Sequence, residues 1–232
     1  MTDTTERGSY LRTMASLGPR IILGELPPGH PLDIATLGEE YGASRTVVRE
    51  VLRVLAAKGL VDARPRRGTQ VAERSEWSLL DPDVLRWRFE DRQDPEFLHQ
   101  LFEIRLAIEP MVARLAAQRR DDVDLSNLHL ALGSMRTAST SAEHVDADLA
   151  FHRALLSAAH NELLEHMATL IEVGLRTRDR IVHSVISETA IEEHEAVLEA
   201  VRRRKQQLAE TAMRALLQRS AADAEAAQEL AG

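Results

Sequence analysis

The chain has 232 residues, a formal net charge of −8 and no cysteine. The lack of cysteine excludes a disulfide framework, a thiolate metal site and a cysteine nucleophile. The opening MTDTTERGSY is polar and no run of about 18 apolar residues follows, so no membrane-spanning segment is expected and the chain reads as soluble and cytoplasmic.

Charge is unevenly placed. Residues 1–76 hold 11 Lys/Arg against 10 Asp/Glu, whereas residues 77–232 hold 18 against 27. Within 44–74 the balance is 8 against 3, a basic segment attached to an acidic remainder. That asymmetry points to a nucleic-acid module joined to something else. All eight prolines lie between Pro19 and Pro110, and the last 122 residues contain none. Rich in Ala, Leu, Glu and Arg, that C-terminal stretch reads as stacked helices.

In chain order, YLRTMASLGPRIILGEL is an amphipathic segment that Gly18-Pro19 should kink or interrupt. PPGHPL is a loop, followed by short helices over 34–41 and 44–58 separated by Gly42-Ala43. LVDAR and TQVAE flank PRRG, a hairpin with Pro and Gly as turn residues. Further helices are expected over 95–119, 126–137, 142–159, 162–186, 191–204 and 206–228.

Helix, tight turn, helix and basic hairpin is the order of a winged helix-turn-helix. Ser44 is placed to cap the second helix, and Gly59 to end it. Val47, Val48, Val51, Leu52 and Leu55 recur at helical spacing and form its buried stripe, leaving Arg45, Thr46, Arg49 and Arg53 at its start or opposite side. The start of such a helix meets base edges, and arginine is the commonest bidentate reader of guanine. Arg64, Arg66 and Arg67 at the hairpin tip can reach phosphate or the minor groove, with Gly68 supplying the turn. A solvated basic helix face would show the same charge but not the ordered caps, stripe and hairpin.

SRTVVREVLRVLAAKGLVDARPRRGTQVA resembles the winged-helix signature of the GntR family of bacterial transcription regulators, and IILGELPPG resembles the end of that family's first helix and the loop after it. The resemblance implies operator contacts from Ser44, Arg45, Thr46 and Arg49, with a wing at Arg66, Arg67 and Gly68. The family often carries an acidic residue and an arginine in the helix before the turn. Ile34 and Ala35 stand there in this chain, so a DNA contact from that arginine is not expected.

FEIRLAIEPMVARLAAQR (102–119), DADLAFHRALLSAAHNELL (146–164) and EEHEAVLEAV (192–201) resemble helices of the FadR-type C-terminal domain, called FCD. The connector EWSLLDPDVLRWRFE (76–90) is similar to the branch that controls D-galactonate and related sugar-acid catabolism. The FCD resemblance implies a metal site of one aspartate and up to three histidines. Asp148, His152 and His194 match three of them, and Leu216 occupies the fourth position. Spacing alone shows only that Asp148 and His152 share a helix face. It leaves open a metal (zinc, nickel or manganese), metal-free ligand binding, or a buried polar network.

Arg105 lies four residues before Glu109, which suits an intrahelical ion pair or an anion reader with a bidentate contact. Arg176 and Arg178 are weaker candidates for the same task, and His183 is a substitute ligand. His144, His160 and His166 read as surface or helix-end residues, Asn161 as a cap, and Arg202 to Lys205 as a solvated charge run.

The expected architecture is mainly α: a winged helix-turn-helix over 1–75 with a small β-hairpin wing, a connector over 76–94, and an all-α bundle over 95–232. The expected function is a homodimeric transcriptional regulator, a repressor, on palindromic double-stranded operator DNA. A small carboxylate effector would bind near Arg105, Asp148, His152, Arg176 and His194. An acyl-CoA effector is an alternative within the family, though Asp148, His152 and His194 do not suit a greasy tail. A helical metalloenzyme is the alternative from another class, since three ligands and an open position also describe catalytic zinc. No further carboxylate or histidine is placed as a general base, and the winged helix would then be unexplained.

Overall fold

Side-chain caps determine where the second and third helices begin. In the computed structural model, which describes residues 2–64, 68–90, 95–182 and 188–231, helix α1 spans Thr2–Ile22 and α2 spans Ile34–Tyr41. The Asp33 carboxylate accepts hydrogen bonds from the backbone N–H groups of Ala35 and Thr36, satisfying donors that α2 itself leaves open. Gly42 ends α2 in the left-handed region at φ 58°, and Ser44 caps α3, Arg45–Ala57, by accepting from Val47 N. Gly59, at φ 75°, follows the C-cap Lys58 and turns the chain into the wing. A Cβ there would stand 2.1 Å from the Glu76 carbonyl oxygen, so no other residue fits.

The wing pairs β1, Val61–Arg64, antiparallel with β2, Gly68–Val71, and an isolated bridge joins Pro31 to Gln70. Residues 65–67, including Arg66 and Arg67, lie outside the described residues.

Pro19 does not interrupt α1. The one bond its missing N–H removes and the crowding by its ring both fall on the Ala15 carbonyl, and the helix continues for only one more turn to Ile22. Gly18 serves packing: a Cβ on it would meet the Trp87 ring within 2.5–2.7 Å. Trp87 belongs to α4, Pro82–Glu90, so residues expected as a connector are folded into the first hydrophobic cluster with Leu17, Ile21, Val51 and Leu55.

The chain divides into two compact units, Met1–Gln93 and Asp94–Gly232. The second contains α5 (Pro95–Arg119), α6 (Asp122–Thr137), α7 (Ser141–Ala158), α8 (Glu162–Glu165), α9 (Ala168–Val182), α10 (Glu188–Arg202) and α11 (Gln206–Ala231). Helix α5 packs on α11, α7 and α9, and α6 packs on α7 and α10. Their shared core includes Val112, Ala116, Leu128, Met135, Phe151, Leu155, Val197, Met213 and Leu217.

Several helix boundaries differ from expectation. Helix α6 starts earlier because Asp121 and Asp124 form a reciprocal capping box, and Thr140 with Glu143 does the same for α7. The helix expected over 162–186 breaks after Glu165, and His183 lies outside the described residues. Asn161 caps α8 as expected, accepting from Leu163 N and Leu164 N.

Candidate functional site

The first unit offers an exposed basic helix face. Val47, Val48, Val51, Leu52 and Leu55 are buried along α3, which turns Ser44, Arg45, Thr46 and Arg49 outward. Among the described residues, no ion pair engages Arg45 or Arg49. Arg53 differs: its guanidinium lies 2.6 Å from Glu50 one turn earlier, which neutralises much of its charge. Gly68 opens β2 at φ 76° and is exposed.

The second unit hides a polar centre inside its apolar core. Asp148, His152 and His194 are 5%, 2% and 3% exposed, and Arg105 and Glu109 are 5% and 1%. Four of these five come from two helices at i,i+4 spacing, Arg105 and Glu109 on α5 and Asp148 and His152 on α7. His194 joins them from α10, where it continues the buried stripe of Val197, Leu198 and Val201.

The contacts run in sequence. Arg105 Nε donates to Glu109 Oε1 at 2.5 Å. The other Glu109 oxygen lies 2.6 Å from His152 Nδ1. His152 Nε2 lies 3.3 Å from Asp148 Oδ1, and His194 Nε2 lies 2.9 Å from the same oxygen. His194 Nδ1 donates to the Ala190 carbonyl at 2.7 Å. Phe151 closes one side, its ring edge-on to His194 at 5.0 Å between centroids.

These groups control one another's protonation. Burial opposes the charged form of Glu109, but Arg105 and His152 outweigh it and bring its pKa down to about 2. Burial likewise opposes charging of His152, yet Glu109 and Asp148 raise it to about 9. Asp148 is buried too, and hydrogen bonds from His152 and His194 hold it well below the usual carboxylate range. The stability consequence for metal-free protein has a definite sign. With a folded pKa raised from 6.5, His152 contributes its full stabilisation below pH 6.5 and loses it as pH rises through about 9. Glu109 contributes above pH 4.5 and loses its share as pH falls through about 2. Thermal melting of chelator-treated protein is therefore expected to be flat between pH 4.5 and 6.5 and to fall towards pH 9. A midpoint still constant at pH 9 would contradict the charged His152.

The donor set fits a small divalent cation. Two imidazole nitrogens and a carboxylate oxygen lie within 4.8 Å of one another, all on buried residues. Tetrahedral ligands each about 2.0–2.2 Å from one ion stand about 3.3–3.6 Å apart, close to the 3.3 Å between His152 Nε2 and Asp148 Oδ1 and somewhat above the 2.9 Å between His194 Nε2 and that oxygen. His152 Nε2 is buried without a well-formed hydrogen bond, as an atom awaiting a ligand would be. Leu216 is buried among apolar residues and offers no donor.

Other expected residues are placed differently. Arg176 is not in this centre: its side chain is 44% exposed and lies 3.2 Å from Glu172 and 3.6 Å from Asp146. The side chain of Arg178 lies outside the described residues. His144 is buried rather than on the surface, one turn before Asp148 on α7. His160 and His166 do sit at helix ends, and His160 Nε2 meets Asp124 at 2.8 Å. Reading the sequence missed Glu109 as a partner of His152. The available signal was that Arg105 and Glu109 lie on the same face of α5 as Leu101, Val112, Ala113 and Ala116, where surface ion pairs do not belong.

A helix-turn-helix with a hairpin wing, followed by a helical unit built around a buried charged centre, defines a DNA-binding regulator with a sensing domain. The comparisons agree. Residues 9–71 match the model of the bacterial regulatory proteins of the gntR family, and residues 100–219 match the FCD domain. The chain belongs to the GntR family of transcriptional regulators, in the group that carries an FCD domain. It is 35% identical to the galactonate operon transcriptional repressor of Escherichia coli over 87% of this chain and 90% of that one. It is 36% identical to the regulator LutR of Bacillus subtilis over 84% and 91%. In fold it is similar to Lar, which controls expression of the Listeria monocytogenes agr system, with a TM-score of 0.64 at 20% identity over 93% and 96%. These relatives are regulators, so the metalloenzyme alternative falls. GntR regulators bind operator DNA and typically act as dimers. Among the described residues, no helix is long and apolar enough to cross a membrane.

Proposed function

We propose that this regulator is a homodimeric repressor whose buried centre receives a sugar acid and thereby lowers its affinity for a palindromic operator. The observation that carries the reading is the position of Arg105. Its Nη2 is buried and makes no hydrogen bond, although its Nε is held by Glu109. A buried guanidinium nitrogen without an acceptor is costly, and a ligand carboxylate supplies the acceptor. The kinship with a galactonate operon repressor makes D-galactonate the first compound to test.

In this reading residues 1–75 read DNA through Ser44, Arg45, Thr46 and Arg49, with Arg66, Arg67 and Gly68 in the wing, and residues 95–232 sense and dimerise. Asp148, His152 and His194 hold a divalent ion, zinc, nickel or manganese. Such an ion supplies a positive charge and an open position for a second oxygen of the effector. Without an ion, Arg105, His152 and His194 offer hydrogen bonds to the same carboxylate. The charged side chains of this centre disfavour an acyl-CoA tail. The effector must bind one arrangement of the protein better than another to change operator affinity. The site of action is the cytoplasm, where the operator is.

A thermal-shift screen of sugar acids tests the ligand class. A ligand at 100 times its Kd stabilises the native state by about 2.7 kcal/mol, which moves the midpoint several degrees. D-galactonate is expected to raise the midpoint, and Arg105→Ala to abolish the rise. No shift with any sugar acid, with or without added zinc, would remove the sugar-acid assignment.

A further inference from the structure

Glu109 is 1% exposed and is not one of the three residues whose ligand atoms converge, so its burial needs a reason. Burying a carboxylate costs several kcal/mol unless it is paired and hydrogen-bonded. Neutralising Arg105 accounts for one of its oxygens, at 2.5 Å from Nε. The second oxygen faces His152 Nδ1 at 2.6 Å as an ion pair, without a well-formed hydrogen bond of its own. A carboxylate only accepts, so Nδ1 carries a hydrogen beside Glu109, and Nε2 beside Asp148 carries one too until a metal replaces it. His194 is arranged in the same sense, its Nδ1 donating to the Ala190 carbonyl and its Nε2 turned to Asp148 Oδ1. Both rings are thus held through Nδ1 and both present Nε2 to one point. One ring is held by a neutral carbonyl, the other by a full negative charge.

We infer that Glu109 is the positioning residue of this centre: it fixes the His152 ring with Nε2 as the ligand atom and holds Arg105 by Nε with Nη2 left over for an anion, so that metal and effector are read through one shared carboxylate. The inference rests on the metal reading of Asp148, His152 and His194. Three features carry it. The two Glu109 oxygens are divided between Arg105 and His152. On the far side of each partner, Arg105 Nη2 is buried without a hydrogen bond, and His152 Nε2 is buried with only the long 3.3 Å contact to Asp148 Oδ1. Finally, Arg105 and Glu109 share α5 while His152 sits on α7, so the carboxylate ties the two helices at the centre. Carboxylates that orient metal-bound histidines change metal affinity by about 10–100-fold when removed.

The experiment is zinc titration of the full chain against a chromophoric chelator, on wild type and Glu109→Gln. Glutamine keeps an acceptor for Nδ1–H and removes the charge. Zinc is expected to bind Glu109→Gln about 10–100-fold more weakly, and cobalt absorption to change in position, not only in intensity. Equal zinc affinity and identical cobalt spectra in a folded Glu109→Gln protein overturn the inference. Wild type that binds no zinc overturns the metal reading and takes the inference with it. Should Glu109→Gln not fold, long-range 1H–15N correlation of zinc-loaded wild type decides, with His152→Gln assigning the signals. The inference requires a protonated Nδ1 and a metal-bound Nε2 on His152; the opposite pattern overturns it. A role confined to neutralising Arg105 would move neither the cobalt spectrum nor the His152 pattern.

Discussion

Replacing Arg49 by alanine is expected to weaken operator binding by at least about 30-fold without changing the fold or the assembly state. A bidentate contact between arginine and guanine is worth about 1–3 kcal/mol. In the proposed dimer the substitution occurs twice, so the loss is about 2–6 kcal/mol, and each 1.4 kcal/mol is tenfold. The fold should tolerate the change because Arg49 is exposed on α3 while Val48, Val51, Leu52 and Leu55 carry the packing. Fluorescence anisotropy of a labelled fragment from upstream of the regulator's own gene measures the loss, and sedimentation checks the assembly. Undiminished binding would remove α3 as the reading element. Arg53→Ala should matter much less, since Glu50 already neutralises Arg53.

Asp148→Ala is expected to separate operator binding from its control. Asp148 Oδ1 is the oxygen shared by both histidines, at 3.3 Å from His152 and 2.9 Å from His194. Its removal deletes the only carboxylate among the three converging ligands and leaves two imidazoles facing a void. Losing a direct ligand should cost at least the upper end of the effect of an orienting partner, about 100-fold in metal affinity. Operator affinity without effector should stay within about threefold of wild type, because the reading helix lies in the other unit. The response to D-galactonate should vanish in the same anisotropy titration. A variant that still releases DNA normally would show that Asp148 belongs to a polar network and not to the sensor.

Much of the DNA-reading unit was legible from local signals, because its determinants are neighbours in sequence. Ser44 caps its helix within three residues, and Gly42 and Gly59 turn the chain where left-handed backbone is needed. The stripe of Val47 to Leu55 follows from helical spacing alone. The helical sensor was less transparent. Asp148 and His152 were visible as a pair one turn apart, but His194 reaches them from a helix 46 residues further on in sequence. Only the family resemblance brought it in. Glu109 stayed hidden because Arg-x-x-x-Glu on a helix usually marks a solvated ion pair, and spacing does not reveal burial. His144 was misjudged for the same reason. Helix ends failed where polar side chains cap across a turn, as Asp121 and Asp124 do, or where a break carries no glycine or proline, as at His166-Met167.

Metal and effector also have to be tied to DNA release in one protein. The most direct measurement is operator anisotropy of zinc-loaded wild type titrated with D-galactonate, beside the same titration after chelation. Dissociation with zinc, at clearly higher galactonate without it, and none in Asp148→Ala is the predicted result. Operator binding unchanged by galactonate and every other sugar acid tested, in both zinc-loaded and chelated protein, would contradict the account.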